Sequence, residues 1–118
     1  MKIITPFVHG VIDYCVVLFL LVSPSLFSIT GLPGMLIYAL SAIHFILSIT
    51  SGFKLGIFKL IPFKIHGIIE LLVSLILVVM PWIFGFAQVE VARNFYIIFG
   101  AIVFLTWLIT DYKGKTSA

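Results

Sequence analysis

The chain has 118 residues, 63% of them hydrophobic and 9% charged, with a mean hydropathy of +1.33. A soluble domain carries about 25% charged residues because water must solvate its surface, and seven basic and four acidic side chains cannot cover a globule of this length. Composition therefore excludes an ordinary soluble fold, and a net charge of +3 spread thinly between long apolar runs argues against nucleic acid and for lipid headgroups as the partner of the basic residues.

The first segment, Lys2 followed by the apolar Cys15–Val22 run, has the general shape of a signal peptide. Pro6, His9 and Asp13 interrupt it, and the same pattern returns in mid-chain, so it is expected to be a retained helix. Cys15 stands alone, so no internal disulfide is possible, and it reads as a buried, inert thiol. No Asp, Glu, Lys or Arg occurs between Tyr14 and Phe53, twice the roughly 20 residues that span a bilayer. The turn-forming Ser28–Gly34 cluster divides this stretch into helices over about 6–29 and 33–53.

Helix two carries a polar stripe, Ser41, His44, Ser48 and Ser51, spaced as one helical face. Small hydroxyl residues let membrane helices approach closely, so packing accounts for the serines, with a polar path or ligand role as the alternative. His44, near mid-membrane with Val103 as its counterpart, reads as a buried imidazole bonded to a backbone carbonyl, with a ligand role as the alternative.

In the central loop a Phe–Lys pair recurs at Phe53-Lys54, Phe58-Lys59 and Phe63-Lys64. Rings inserted at the interface, with ammonium groups on lipid phosphates, would hold this loop flat on the membrane; a docking patch for a protein is the alternative. Helices three and four are expected over about 64–87 and 93–112, with Trp82 as an interface anchor. Six lysines (Lys2, Lys54, Lys59, Lys64, Lys113, Lys115) fall on one side and Arg93 alone on the other, which predicts cytoplasmic termini and an inner-membrane protein.

Aligned without gaps, Val8–Ile29 and Ile65–Phe86 are identical at nine of twenty-two positions, among them His9/His66, Gly10/Gly67 and Pro24/Pro81, with Asp13 opposite Glu70. With a two-residue shift, Ser41–Phe45 matches Gly100–Phe104 and Phe53-Lys54 matches Tyr112-Lys113. The expected fold is an all-α membrane bundle of four helices, a helical hairpin duplicated in tandem over 6–55 and 62–114. Two crossings per unit make the copies parallel about a pseudo-twofold axis along the membrane normal.

Ser23-Pro24 and Pro81-Trp82, each in the first helix of its unit, resemble two degenerate copies of the signature of the SPW-repeat membrane proteins. The resemblance covers nearly the whole chain and implies the two-helix repeat; it supplies no activity.

His9 and Asp13, like His66 and Glu70, are four apart and share one helix face. Ionisable groups at membrane depth face the bundle interior, so all four residues are expected at one polar site. Two imidazoles and two carboxylates are a ligand set for Zn²⁺, or part of one for Mn²⁺ or Fe²⁺. The same residues can instead pass protons, or satisfy one another as local hydrogen bonds in a scaffold that binds nothing. Non-covalent haem or a quinone between His9 and His66, in a redox subunit, is a further alternative. No nucleotide loop, nucleophile elbow or zincin motif occurs, so an enzyme is not expected. The bilayer is the expected partner, and a homo-oligomer or a larger membrane complex is open as a further setting.

Overall fold

The computed structural model describes residues 2–52 and 55–113. Four helices run through them: α1 (Pro6–Leu26), α2 (Gly31–Thr50), α3 (Phe63–Ile83) and α4 (Glu90–Ile109). Each has 20 or 21 residues, about 30 Å at 1.5 Å per residue, which matches a bilayer's hydrocarbon core. All four are long and apolar enough to cross a membrane.

Local chemistry sets the ends. Thr5 caps α1 by accepting a hydrogen bond from the Val8 N–H at 3.2 Å, and Pro6 follows at the first turn, where its missing N–H costs nothing. The helices stop about a turn short of the ends expected at residues 29, 53, 87 and 112. Ser28 and Gly85 adopt left-handed backbone at φ 55° and 76°, which breaks α1 and α3. Phe27 N–H then bonds Ser23 O and Ile29 N–H bonds Pro24 O; Phe84 to Met80 and Phe86 to Pro81 are the corresponding pairs after α3. At the other end of the chain's hairpins, Ser51 and Thr110 turn extended at ψ 151° and 137° and close α2 and α4.

Both closures carry strand pairing, which an all-helical expectation omits. Two short strands, β1 (Ser51–Gly52) and β2 (Ile61–Pro62), pair in parallel with Ser51 opposite Ile61. Ile4 and Thr110 form a second parallel bridge, with Ile4 N–H on Ile109 O at 3.0 Å and Asp111 N–H on Ile4 O at 2.9 Å. The exit of α2 is thereby tied to the entry of α3, and the exit of α4 to the entry of α1. All four ends meet at one end of the bundle.

α1 packs closely on α2, and α3 on α4. Ser41 Oγ donates to Val17 O at 3.0 Å between the first pair, and Gly100 lets α4 approach the Ser74 carbonyl in the second. Such small-residue contacts hold helices together where lipid removes the hydrophobic drive. The apolar core, with Leu20, Ile37, Leu77, Tyr96 and Phe99, fills the half of the bundle away from the joined ends. There Tyr96 donates its buried hydroxyl to Pro33 O at 2.7 Å. Leu18, Val22, Leu75, Val79, Ile98 and Leu105 are exposed on the outer faces, as lipid contact requires, and Cys15, expected to be buried, is exposed on α1 as well.

Candidate metal centre

His9 and Asp13 on α1 and His66 and Glu70 on α3 converge in the interior, close to the joined ends, and all four are buried. One ligand atom from each lies within 4.8 Å of all the others. The contacts alternate nitrogen and oxygen around a closed circuit. His9 Nε2 is 2.6 Å from Glu70 Oε1 and 3.2 Å from Asp13 Oδ1; His66 Nε2 is 2.8 Å from Glu70 Oε1 and 3.1 Å from Asp13 Oδ2.

The outer nitrogens decide the tautomers. His66 Nδ1 stands 2.6 Å from Ser51 Oγ, and His9 Nδ1 stands 2.9 Å from Thr110 Oγ1. A hydroxyl has one hydrogen to give. Ser51 gives it to Leu47 O at 2.5 Å, and Thr110 gives it to Thr106 O at 2.5 Å. Both hydroxyls must therefore accept, and each Nδ1 carries the proton it donates. A neutral imidazole held this way turns a bare Nε2 lone pair inward, the arrangement by which metal-binding histidines are oriented. Ionised carboxylates are acceptors only, so bare Nε2 atoms against them would repel. The ring requires something between its nitrogens and oxygens: hydrogens carried on Nε2 or on a carboxyl, or a cation in their place.

The donor set fits a divalent ion. Ligands about 2.0–2.2 Å from a zinc ion stand roughly 3.3–3.6 Å apart at tetrahedral angles. The 3.1 and 3.2 Å edges are near that, and the 2.6 and 2.8 Å edges to Glu70 would open by several tenths of an ångström.

An aromatic cover closes the ring on the side of the joined ends. Phe63 lies 5.5 Å from the His9 ring and 5.3 Å from the His66 ring, and Tyr112 lies 4.8 Å from Phe63. Tyr112 donates its hydroxyl to Glu70 Oε1 at 3.1 Å and packs so tightly on Gly67 that a Cβ there would meet its ring at 2.9 Å. Burial, reinforced by the adjacent Glu70 carboxylate, holds the Tyr112 phenol well above its usual range.

Phe63 thus corrects its expected place at the lipid interface. It is buried, because its position three residues before His66 puts it on the same helix face. Ser51 corrects the polar stripe: it closes α2 and serves His66, while Ser41 bonds the Val17 carbonyl as a packing residue. His44 Nε2 reaches 3.3 Å from Asp13 Oδ1, and Ser48 is buried one turn along. Phe58, Lys59, Lys64 and Trp82 are exposed, as are Ile57 and Leu60 in the same loop; Phe53 and Lys54 lie outside the described residues. Ser23, Pro24 and Pro81 are buried near the ends of α1 and α3, Ser23 Oγ donating to Phe19 O at 2.6 Å.

Haem does not fit between His9 and His66. A porphyrin needs an open slot between its axial histidines, and here the Asp13 and Glu70 carboxylates occupy that space, with the two imidazole centroids 5.5 Å apart. Tyr112 is a site residue that its sequence context does not mark; its match to Phe53 in the shifted alignment is the available signal. Thr110 falls at the position matched to Ser51 in that same alignment. Compared with protein-family models, curated proteins and solved structures, the chain matches none.

Proposed function

We propose that this is a four-span membrane protein that binds a divalent transition-metal ion between His9, Asp13, His66 and Glu70. The observation that carries the reading is the contact of each Nδ1 with a hydroxyl already committed as a donor, Thr110 for His9 and Ser51 for His66, which leaves both Nε2 atoms directed at two carboxylates. Nitrogen and carboxylate oxygen together suit Zn²⁺, Mn²⁺ or Fe²⁺. With two neutral imidazoles and two carboxylates, a divalent ion leaves no net charge, which membrane depth favours. Elemental analysis of protein purified without chelator tests this: stoichiometric metal supports it, and protein free of metal that also ignores added Zn²⁺ refutes it.

A second reading has the ring holding protons, and the short 2.6 and 2.8 Å contacts to Glu70 favour it. The two are separable, since a metal must expel the Nε2 protons. Zinc titration calorimetry in buffers of different ionisation enthalpy reads that release.

We read the chain further as a tandem hairpin duplication with a parallel pseudo-twofold axis. Equal helix lengths, the like closures after α1 and α3, and the exchanged bridges Ser51–Ile61 and Ile4–Thr110 support it. This is the two-helix repeat that likeness to SPW-repeat proteins implies. We place the termini and central loop in the cytoplasm of an inner-membrane protein, against anionic lipid, on the lysine asymmetry and on exposed Ile57, Phe58, Lys59 and Leu60. Cysteine labelling at Lys59 and at Arg93 from opposite sides of the membrane tests the orientation; labelling of Lys59 from outside refutes it.

A further inference from the structure

We propose that His44 is a fifth ligand of the same ion, giving a shell of three imidazole nitrogens and two carboxylates. The inference rests on the metal reading above. His44 Nε2 is buried, and the polar atom it faces is Asp13 Oδ1 at 3.3 Å, an oxygen that His9 Nε2 also approaches at 3.2 Å. One carboxylate oxygen thus faces two imidazole nitrogens in a buried setting, where a cation between them would serve all three atoms at once.

The surroundings give the side chain somewhere to go. Two cavities of about 40 Å³ each border His44 and Glu70, and one of them also borders Asp13. His44 lies seven residues before Ser51 on α2, so it reaches the ring from the membrane's middle, opposite the Phe63 and Tyr112 cover. Ligands at right angles around an ion about 2.1 Å away stand roughly 3.0 Å apart. The 3.3 Å separation from Asp13 is therefore already close to a shared-ion distance.

The asymmetry is informative. The matched position on α4 is Val103, which borders the same two cavities with an apolar side chain. A third nitrogen shifts the preference of the site away from Mg²⁺ and Ca²⁺, which take oxygen, and toward ions such as Zn²⁺, Co²⁺ and Fe²⁺.

The test is X-ray absorption on full-length protein loaded with Co²⁺, comparing wild type with His44→Val and His44→Gln, each first checked for an unchanged helical circular-dichroism spectrum. The expected result is loss of one of three imidazoles from the scattering in both variants. Affinity should fall by at least the roughly 10–100-fold typical of losing an outer-shell partner, since a direct ligand is removed. Unchanged scattering and affinity in whichever variant folds would overturn the proposal and leave water in the two cavities as the partner of His44. Wild-type protein that takes up no Co²⁺ would overturn the metal reading itself, and this proposal with it.

Discussion

Ser51 accepts the Nδ1–H of His66 at 2.6 Å, and it does so because its own hydrogen is committed to the Leu47 carbonyl one turn back. Thr110 stands to His9 in the same relation, through the Thr106 carbonyl. Two hydroxyls at helix ends thus set the protonation pattern of two histidines on other helices.

Replacing Ser51 with Ala, or Thr110 with Val, should leave a buried Nδ1–H unpaired. The expected cost is about 1–3 kcal/mol in stability for each. The imidazole is then free to turn, so zinc affinity should fall about 10–100-fold. Thermal melts and zinc titration of the purified variants check both; a variant that melts and binds like wild type contradicts the assignment of the hydroxyls as acceptors.

Tyr112 gives a pH test. Its phenol is raised by burial and by Glu70, so the folded state holds a proton that the unfolded chain releases near pH 10. The sign comes from linkage: the contribution is complete below the unfolded value and is lost as pH rises through the folded one. Stability should therefore decline above about pH 10, and Tyr112→Phe should reduce that decline. Denaturant melts between neutral pH and pH 11 read the difference. An equal alkaline loss in the variant would mean that Tyr112 is not the group responsible.

The repeated His-Gly and the in-register acid make the four-residue ring legible in sequence, because a spacing of four fixes one helix face whatever the tertiary packing. Its outer partners are less so. Ser51 fits the polar stripe of α2 by period alone, yet it serves α3 because the chain turns extended at that residue and pairs with Ile61. Parallel pairing between segments ten residues apart leaves no periodic trace. Phe63 belongs to two patterns, a Phe–Lys rhythm and a three-residue spacing from His66, and packing on the imidazoles settles which one counts.

Close helix approach in the second hairpin depends on Gly100. A Cβ there would lie 2.9 Å from Val78 Cγ2 and 3.0 Å from the Ser74 carbonyl oxygen, and a backbone oxygen cannot move aside cheaply. Gly100→Ala should cost about 1–3 kcal/mol by overpacking. Gly67→Ala, whose nearest neighbours are atoms of the Tyr112 ring, should instead displace that cover from Glu70. Melting temperature separates the first effect; Tyr112 fluorescence in a background with the other tyrosines replaced by Phe reads the second. Wild-type behaviour in both variants would contradict the packing described.

Zinc-dependent stabilisation of the wild type, measured beside the His9→Ala/His66→Ala variant, bears on the shared site most directly. A ligand at 100 times its Kd stabilises the state that binds it by about 2.7 kcal/mol. Wild-type protein should melt higher with added Zn²⁺ and lower after chelation. The double variant should keep its helical circular-dichroism spectrum and show neither shift. A wild type that ignores both zinc and chelator, or a double variant that still responds as the wild type does, would contradict a metal held by His9, Asp13, His66 and Glu70.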